Sequence, residues 1–199
     1  MRWERLFQDL EDQLDRETDA ELEDIARDEE RLRIARMSLM ERVRDFLGLP
    51  RDVPELLLSV SQLILSCAVI RCGRDWILVH VREPVSLAGT ALVPITAVRS
   101  IRIGATRDNE IRRPPVALAE TQQGLSSEIA FTFVLRDLCR RRRHVTLRCG
   151  TSETSGTIER VGKDHMDIAV HSARLQRSAQ PVSHVEIVPL IRIDLIHLT

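Results

Sequence analysis

SCAVIRCGRDWILV, residues 66–79, and SGTIERVGKDHMDI, residues 155–168, align without a gap at an offset of 89. Ser66 meets Ser155, Val69 meets Ile158, Arg71 meets Arg160, Gly73 meets Gly162, Arg74 meets Lys163, Asp75 meets Asp164 and Val79 meets Ile168. Farther along, LVPITAVRSI (92–101) matches IVPLIRIDLI (187–196) at an offset of 95, and the added residues fall in the polar stretch HSARLQRSAQPVSH. Self-similarity of this kind requires two related units in one chain. Each unit reads as a strand, a tight Gly-basic-Asp turn, a second strand, a variable loop, and a final strand with proline near its start. Glycine suits such a turn because it reaches positive φ, and aspartate because it bonds its own backbone.

The repeat decides how to read VGKDHMDIAV (161–170), where two aspartates and a histidine lie close together. His165 aligns with Trp76 and Asp167 with Leu78. Tryptophan and leucine can neither ligate a metal nor move a proton, so no metal or catalytic site common to both units is expected. Asp164 is read as a turn residue.

Ahead of the repeat, Trp3, Phe7, Leu10 and Leu14 follow the alternating four and three spacing of a coiled-coil seam. Thr18 interrupts the series before Leu22, Ile25 and Leu32 resume it, as in a stutter. A helix this polar needs a partner for its stripe, which predicts an oligomerising, coiled-coil-like arm over residues 1–35. Residues 1–33 hold 13 acidic and 6 basic groups against 17 and 23 in the remainder, so an acidic arm precedes a basic body.

SLME (38–41) is a capping box, with Leu39, Val43, Phe46 and Leu47 as the apolar face of a short helix ended by Gly48 and Pro50. Residues 55–104 are strand-like, and ATRDNEIRRPPVALAETQQG (105–124) reads as a linker. Residues 126–142 return to helix, with Phe131, Val134, Leu135 and Leu138 on one face, and strands resume from His144 to Leu198. The expected domains are an acidic helix (1–35), a short helix with a first barrel (36–104), the linker (105–124), and a helix with a second barrel (125–199).

A helix followed by short, bent strands in a unit of about 50 residues resembles the Sm-like and wider SH3-like small β-barrels. In the second unit GTIERVGKDHMDI is similar to the first Sm motif, a glycine-led strand reaching an Asp-containing loop. Asp167 stands where that motif carries asparagine, and IVPLIRID replaces the arginine-glycine segment of the second motif. An acidic helix followed by two helix-barrel units is also similar to actinobacterial proteins of similar length. The resemblance implies an α+β fold, a coiled-coil-like helix followed by two helix-plus-small-β-barrel repeats.

The sequence contains no Walker loop, GxGxxG, HExxH or GxSxG, and its six histidines have no i, i+4 pairing on a helix. A non-enzymatic protein without cofactor or metal is expected. Cys67, Cys72, Cys139 and Cys149 have no CxxC spacing and no apolar leader opens the chain, which predicts a reduced, cytoplasmic protein. LLLSVSQLILSCAVI (56–70) is too short and too polar for a membrane span.

The remaining functional feature is RDLCRRRRHVTLR (136–148). Arg140, Arg141, Arg142 and Arg143, with Arg136 and Arg148, form a basic cluster able to neutralise phosphates of RNA or DNA. A run of arginines at a helix C-terminus also favours the helix dipole, so a purely structural surface is the competing reading. Trp76 is the only aromatic residue of the barrel segments, so sequence-specific readout of single strands is not expected. Two functions follow: a nucleic-acid-associated module, or a protein-interaction scaffold, such as a transcription-associated regulator, whose arginines meet acidic surfaces.

Overall fold

In the computed structural model the described residues are Gln13, Thr18, Leu22, Leu47 and the segments 24–44, 56–103, 125–171 and 182–198. The chain divides into two compact units, 1–42 and 43–199.

In the first unit, residues 24–36 form helix α1; Ser38 opens helix α2 (Leu39–Arg44), which runs past the boundary between the units. The capping box is present. The Ser38 backbone N–H donates to the Glu41 carboxylate at 2.6 Å, and the Glu41 N–H donates to the Ser38 hydroxyl at 3.2 Å. Along α1, ion pairs at i, i+3 join Arg27 to Asp24 (2.7 Å), Arg31 to Asp28 (3.0 Å) and Arg33 to Glu30 (2.6 Å). Leu22, Ile25 and Leu32 are all more than half exposed. The expected N-terminal coiled coil is corrected: the described residues 24–36 form one helix. The described helix is a single solvated one, steadied by charge pairs worth only a few tenths of a kcal/mol each. Trp3, Phe7, Leu10 and Leu14 lie outside the described residues.

Among the described residues the second unit contains ten strands: β1 (Leu56–Val60), β2 (Leu63–Cys72), β3 (Trp76–Glu83), β4 (Gly89–Pro94), β5 (Val98–Arg102), β6 (His144–Cys149), β7 (Ser152–Val161), β8 (His165–His171), β9 (Val182–Pro189) and β10 (Leu195–Leu198). Helix α3 (Phe131–Arg140) precedes β6. The strands form one sheet in the order β5-β1-β2-β3-β4-β10-β6-β7-β8-β9, and every pairing is antiparallel.

This sheet corrects the expected α+β fold of a coiled-coil-like helix and two helix-plus-barrel repeats. The described residues form mostly a single open antiparallel sheet with three helices. The physical reason is the joint between the halves. Strand β10 pairs with β4 through Ile196 opposite Leu92, His197 opposite Ala91 and Leu198 opposite Thr90. The last strand of the second half thus satisfies the backbone groups of the first half's fourth strand, and the two halves continue one another. Their cores merge as well: Trp76 and Leu92 pack in the same buried cluster as Leu135, Leu147, Ile168 and Ile196.

Within this sheet the five-strand order is repeated, and the registers match at the offsets read from the sequence. Leu58 faces Ile101 and Leu147 faces Ile196; Leu78 faces Leu92 and Asp167 faces Ile187. Bulges fall between Val69 and Arg71 and between Ile158 and Arg160. The turns coincide too. Gly73 N–H donates to Trp76 C=O at 2.9 Å, and Gly162 N–H to His165 C=O at 2.8 Å. The hairpin positions Ser61 and Gly150, also 89 apart, both have positive φ, 52° and 62°.

One detail of the repeat differs from expectation. Pro94 and Pro189 end strands instead of lying near the start of one, and each leads into a 3-10 turn, Ile95–Ala97 and Leu190–Arg192. With φ at -67° and -63° and no N–H to donate, proline suits the residue that leaves the ladder and enters the turn. The Asp75 and Asp164 carbonyls then receive the N–H of Ile95 (2.9 Å) and Leu190 (2.8 Å), so each Gly-basic-Asp turn is tied to the following 3-10 turn.

Candidate nucleic-acid interface

Helix α3 carries the basic cluster, and its placement follows from three contacts with the first half's turn. Ile129 C=O accepts the Trp76 indole N–H and the Arg74 N–H, both at 2.9 Å. The Phe131 N–H, at the first helical position, donates to the Asp75 carboxylate at 2.7 Å. The residue ahead of the helix, Ala130, has no side chain able to cap it, so Asp75 supplies the cap from across the sequence. Phe131, Leu135 and Leu138 are buried on one stripe of α3.

The opposite face holds the candidate site. Phe133 is 60% exposed. At roughly 100° per residue, Arg136 and Arg140 fall within about 60° of Phe133 around the axis, while the buried stripe lies on the far side. An aromatic ring and two guanidinium groups thus share one solvated face. The sequence reading overlooked Phe133 because its neighbour Phe131 belongs to the core stripe. The available signal was its helical phase, three and seven residues ahead of arginines.

The helix ends at a left-handed residue. Arg142 has φ 48°, its N–H donates to Cys139 C=O at 3.0 Å, and Arg143 N–H donates to Leu138 C=O at 3.1 Å. This is the Schellman closure, in which glycine ordinarily occupies the left-handed position. Here an arginine does, at a conformational cost of about 1 kcal/mol.

The six arginines do not act alike. Asp137 lies one turn before the end of α3 and pairs with both Arg140 and Arg141, the latter at 2.7 Å. The hydrogen bond from Arg140, with those from Arg141 and the positive field of both, holds the Asp137 carboxyl below its ordinary 3.8. Arg148, on β6, pairs with Glu153 at 2.7 Å across the hairpin. Arg136, Arg142 and Arg143 are exposed, and among the described residues no carboxylate pairs with them. Beside them a cavity of about 270 Å³ is lined by Asp137, Leu138, Arg141, Arg143, His144 and Leu198.

Asp164 is exposed and bonds His165 at 2.8 Å; that bond, with the field of His165, lowers its carboxyl from 3.8. Among the described residues no group of three His, Cys, Asp or Glu is placed to hold a metal ion. None of the four cysteines forms a disulfide, and burial pushes the Cys72 thiol up to about 12 and the Cys149 thiol to about 11. Such thiols are protonated at neutral pH and poor nucleophiles. Among the described residues no helix is long and apolar enough to cross a membrane. No family model, curated protein or solved structure matches this chain.

Proposed function

We propose that this protein is a non-enzymatic nucleic-acid-associated protein that holds RNA or DNA through the exposed face and C-terminal end of α3. The observation that carries this reading is Phe133, solvated and flanked in helical phase by Arg136 and Arg140, with Arg142 and Arg143 paired to no carboxylate among the described residues at the helix end. Arginines neutralise backbone phosphates and release counterions, while an exposed ring offers a stacking surface to any unpaired base. Single strands are favoured over duplex, because a base must be unstacked to reach Phe133. Neither feature reads base edges, so binding is tolerant of sequence. The reducing cytoplasm is the compartment proposed, in keeping with four cysteines of which none forms a disulfide.

The retained left-handed Arg142 supports the same reading. A position where glycine would be cheaper holds a cation instead, and residues kept in costly conformations cluster at functional sites. The test is binding of homopolymeric single-stranded RNA and DNA at several salt concentrations. Affinity that falls steeply with salt and weakens on Phe133→Ala supports the proposal. Absence of salt-sensitive binding transfers the reading to a protein-interaction scaffold, for which the open β9 edge, with Val185 and Ile187 exposed, offers a surface.

A further inference from the structure

The joint at the centre of the sheet has an open counterpart at its two ends. Among the described residues β5 and β9 are the edge strands, each paired on one side only. By the repeat, β9 corresponds to β4 and β5 to β10, the two strands that pair at the joint. Leu92, on β4, is fully buried, whereas its counterpart Ile187 on β9 is 68% exposed. Val185 and Val182 on the same strand are 54% and 50% exposed. An edge with this much open apolar surface is a template for another strand.

The joint's register can be carried to the ends residue by residue. Its three pairs are Ile196 with Leu92, His197 with Ala91 and Leu198 with Thr90. The offset of 95 turns these into Ile101 with Ile187, Arg102 with Glu186 and Ile103 with Val185. The transferred pairs are complementary: two apolar pairs flank one of opposite charge, with Arg102 exposed on β5 and Glu186 half-buried on β9 beside Thr154 (3.0 Å). Nothing in the first half's own folding requires an arginine on β5 to match a glutamate on β9.

We propose that β9 of one molecule pairs antiparallel with β5 of a second copy, in the register Ile187–Ile101, Glu186–Arg102 and Val185–Ile103, repeating between molecules the β4–β10 joint found within one. The contact is head-to-tail, so each copy uses one edge and offers the other. Assembly either closes into a ring or continues as a filament. This surface is independent of the nucleic-acid reading.

The test is the mass of the full-length chain by light scattering over a range of concentrations, for wild type, Glu186→Arg and Arg102→Glu. Wild type is expected to grow in mass with concentration, and each variant alone to associate about fivefold more weakly, because like charges then face each other. Mixed one to one, the two variants restore opposite charges at both contacts, and association returns to the wild-type level. This rescue also excludes misfolding as the cause of the single-variant loss. A wild type that stays monomeric throughout, variants that associate as wild type does, or a mixture with no rescue would each overturn the proposal.

Discussion

The Asp75 carboxylate receives the backbone N–H of Phe131 at 2.7 Å, so a turn in the first half caps a helix belonging to the second. The equivalent turn residue, Asp164, is solvated and bonds His165 instead. Repetition in sequence thus conceals a division of labour: one turn anchors α3, and the other is free of it.

Asp75→Ala should therefore destabilise the sheet unit by about 1 kcal/mol, the usual cost of an N-cap. Asp164→Ala should leave the denaturant midpoint unchanged. Urea unfolding of both variants checks the asymmetry, and equal losses would contradict it.

Arg142→Gly should raise stability by about 0.5–1 kcal/mol, since glycine takes the left-handed position without the Cβ clash. The same substitution removes one of the unpaired cations and should weaken nucleic-acid binding. Opposite movements of the unfolding midpoint and the binding constant are the expected signature.

Asp137→Asn should strengthen binding, because Arg140 and Arg141 lose the carboxylate that now engages them. Each arginine that gains a phosphate steepens the slope of log K against log salt by about 0.7 on single strands. The pH behaviour has a definite sign. The carboxyl is depressed below 3.8, so the stability from its arginine pairs is present above that value and lost as pH falls through the lowered one. Binding should show no step from Asp137 between neutral pH and pH 5; gel-shift titrations at fixed salt in that window check this.

Phe133→Ala should weaken single-strand binding by about 1–3 kcal/mol if one base stacks on the ring. Its exposed face predicts little effect on folding. Duplex binding should change much less, which a comparison of hairpin and unpaired oligonucleotides would measure.

The repeated turn was legible because glycine recurs at Gly73 and Gly162, but neither has the positive φ expected of such a turn. The constraint is steric instead: backbone crowds Gly73, whereas only the exposed His165 ring crowds Gly162. A Cβ at Gly73 would collide with the Trp76 indole and lie 2.7 Å from Ile129 C=O, and one at Gly162 would lie 2.6 Å from the His165 ring. The continuity of the sheet was not legible, because antiparallel pairing of β4 with β10 joins Leu92 to Ile196, residues far apart in the chain, and leaves no local pattern. Two closed barrels satisfy the same alternation. Pro94 and Pro189 each precede an apolar run that reads as a single strand, yet the 3-10 turn after each separates the end of one strand from the start of another. In the basic cluster, composition counted six arginines, while spacing already held the correction: Asp137 lies three and four residues before Arg140 and Arg141.

The most direct test of the central claim is the salt dependence of single-strand binding by wild type and by the combined Arg136→Gln, Arg142→Gln and Arg143→Gln variant. Loss of three phosphate contacts predicts a slope of log K against log salt flatter by about 2, with affinity reduced about equally on every sequence. An unchanged slope, or wild-type protein with no salt-sensitive binding near physiological ionic strength, would contradict a nucleic-acid role for α3.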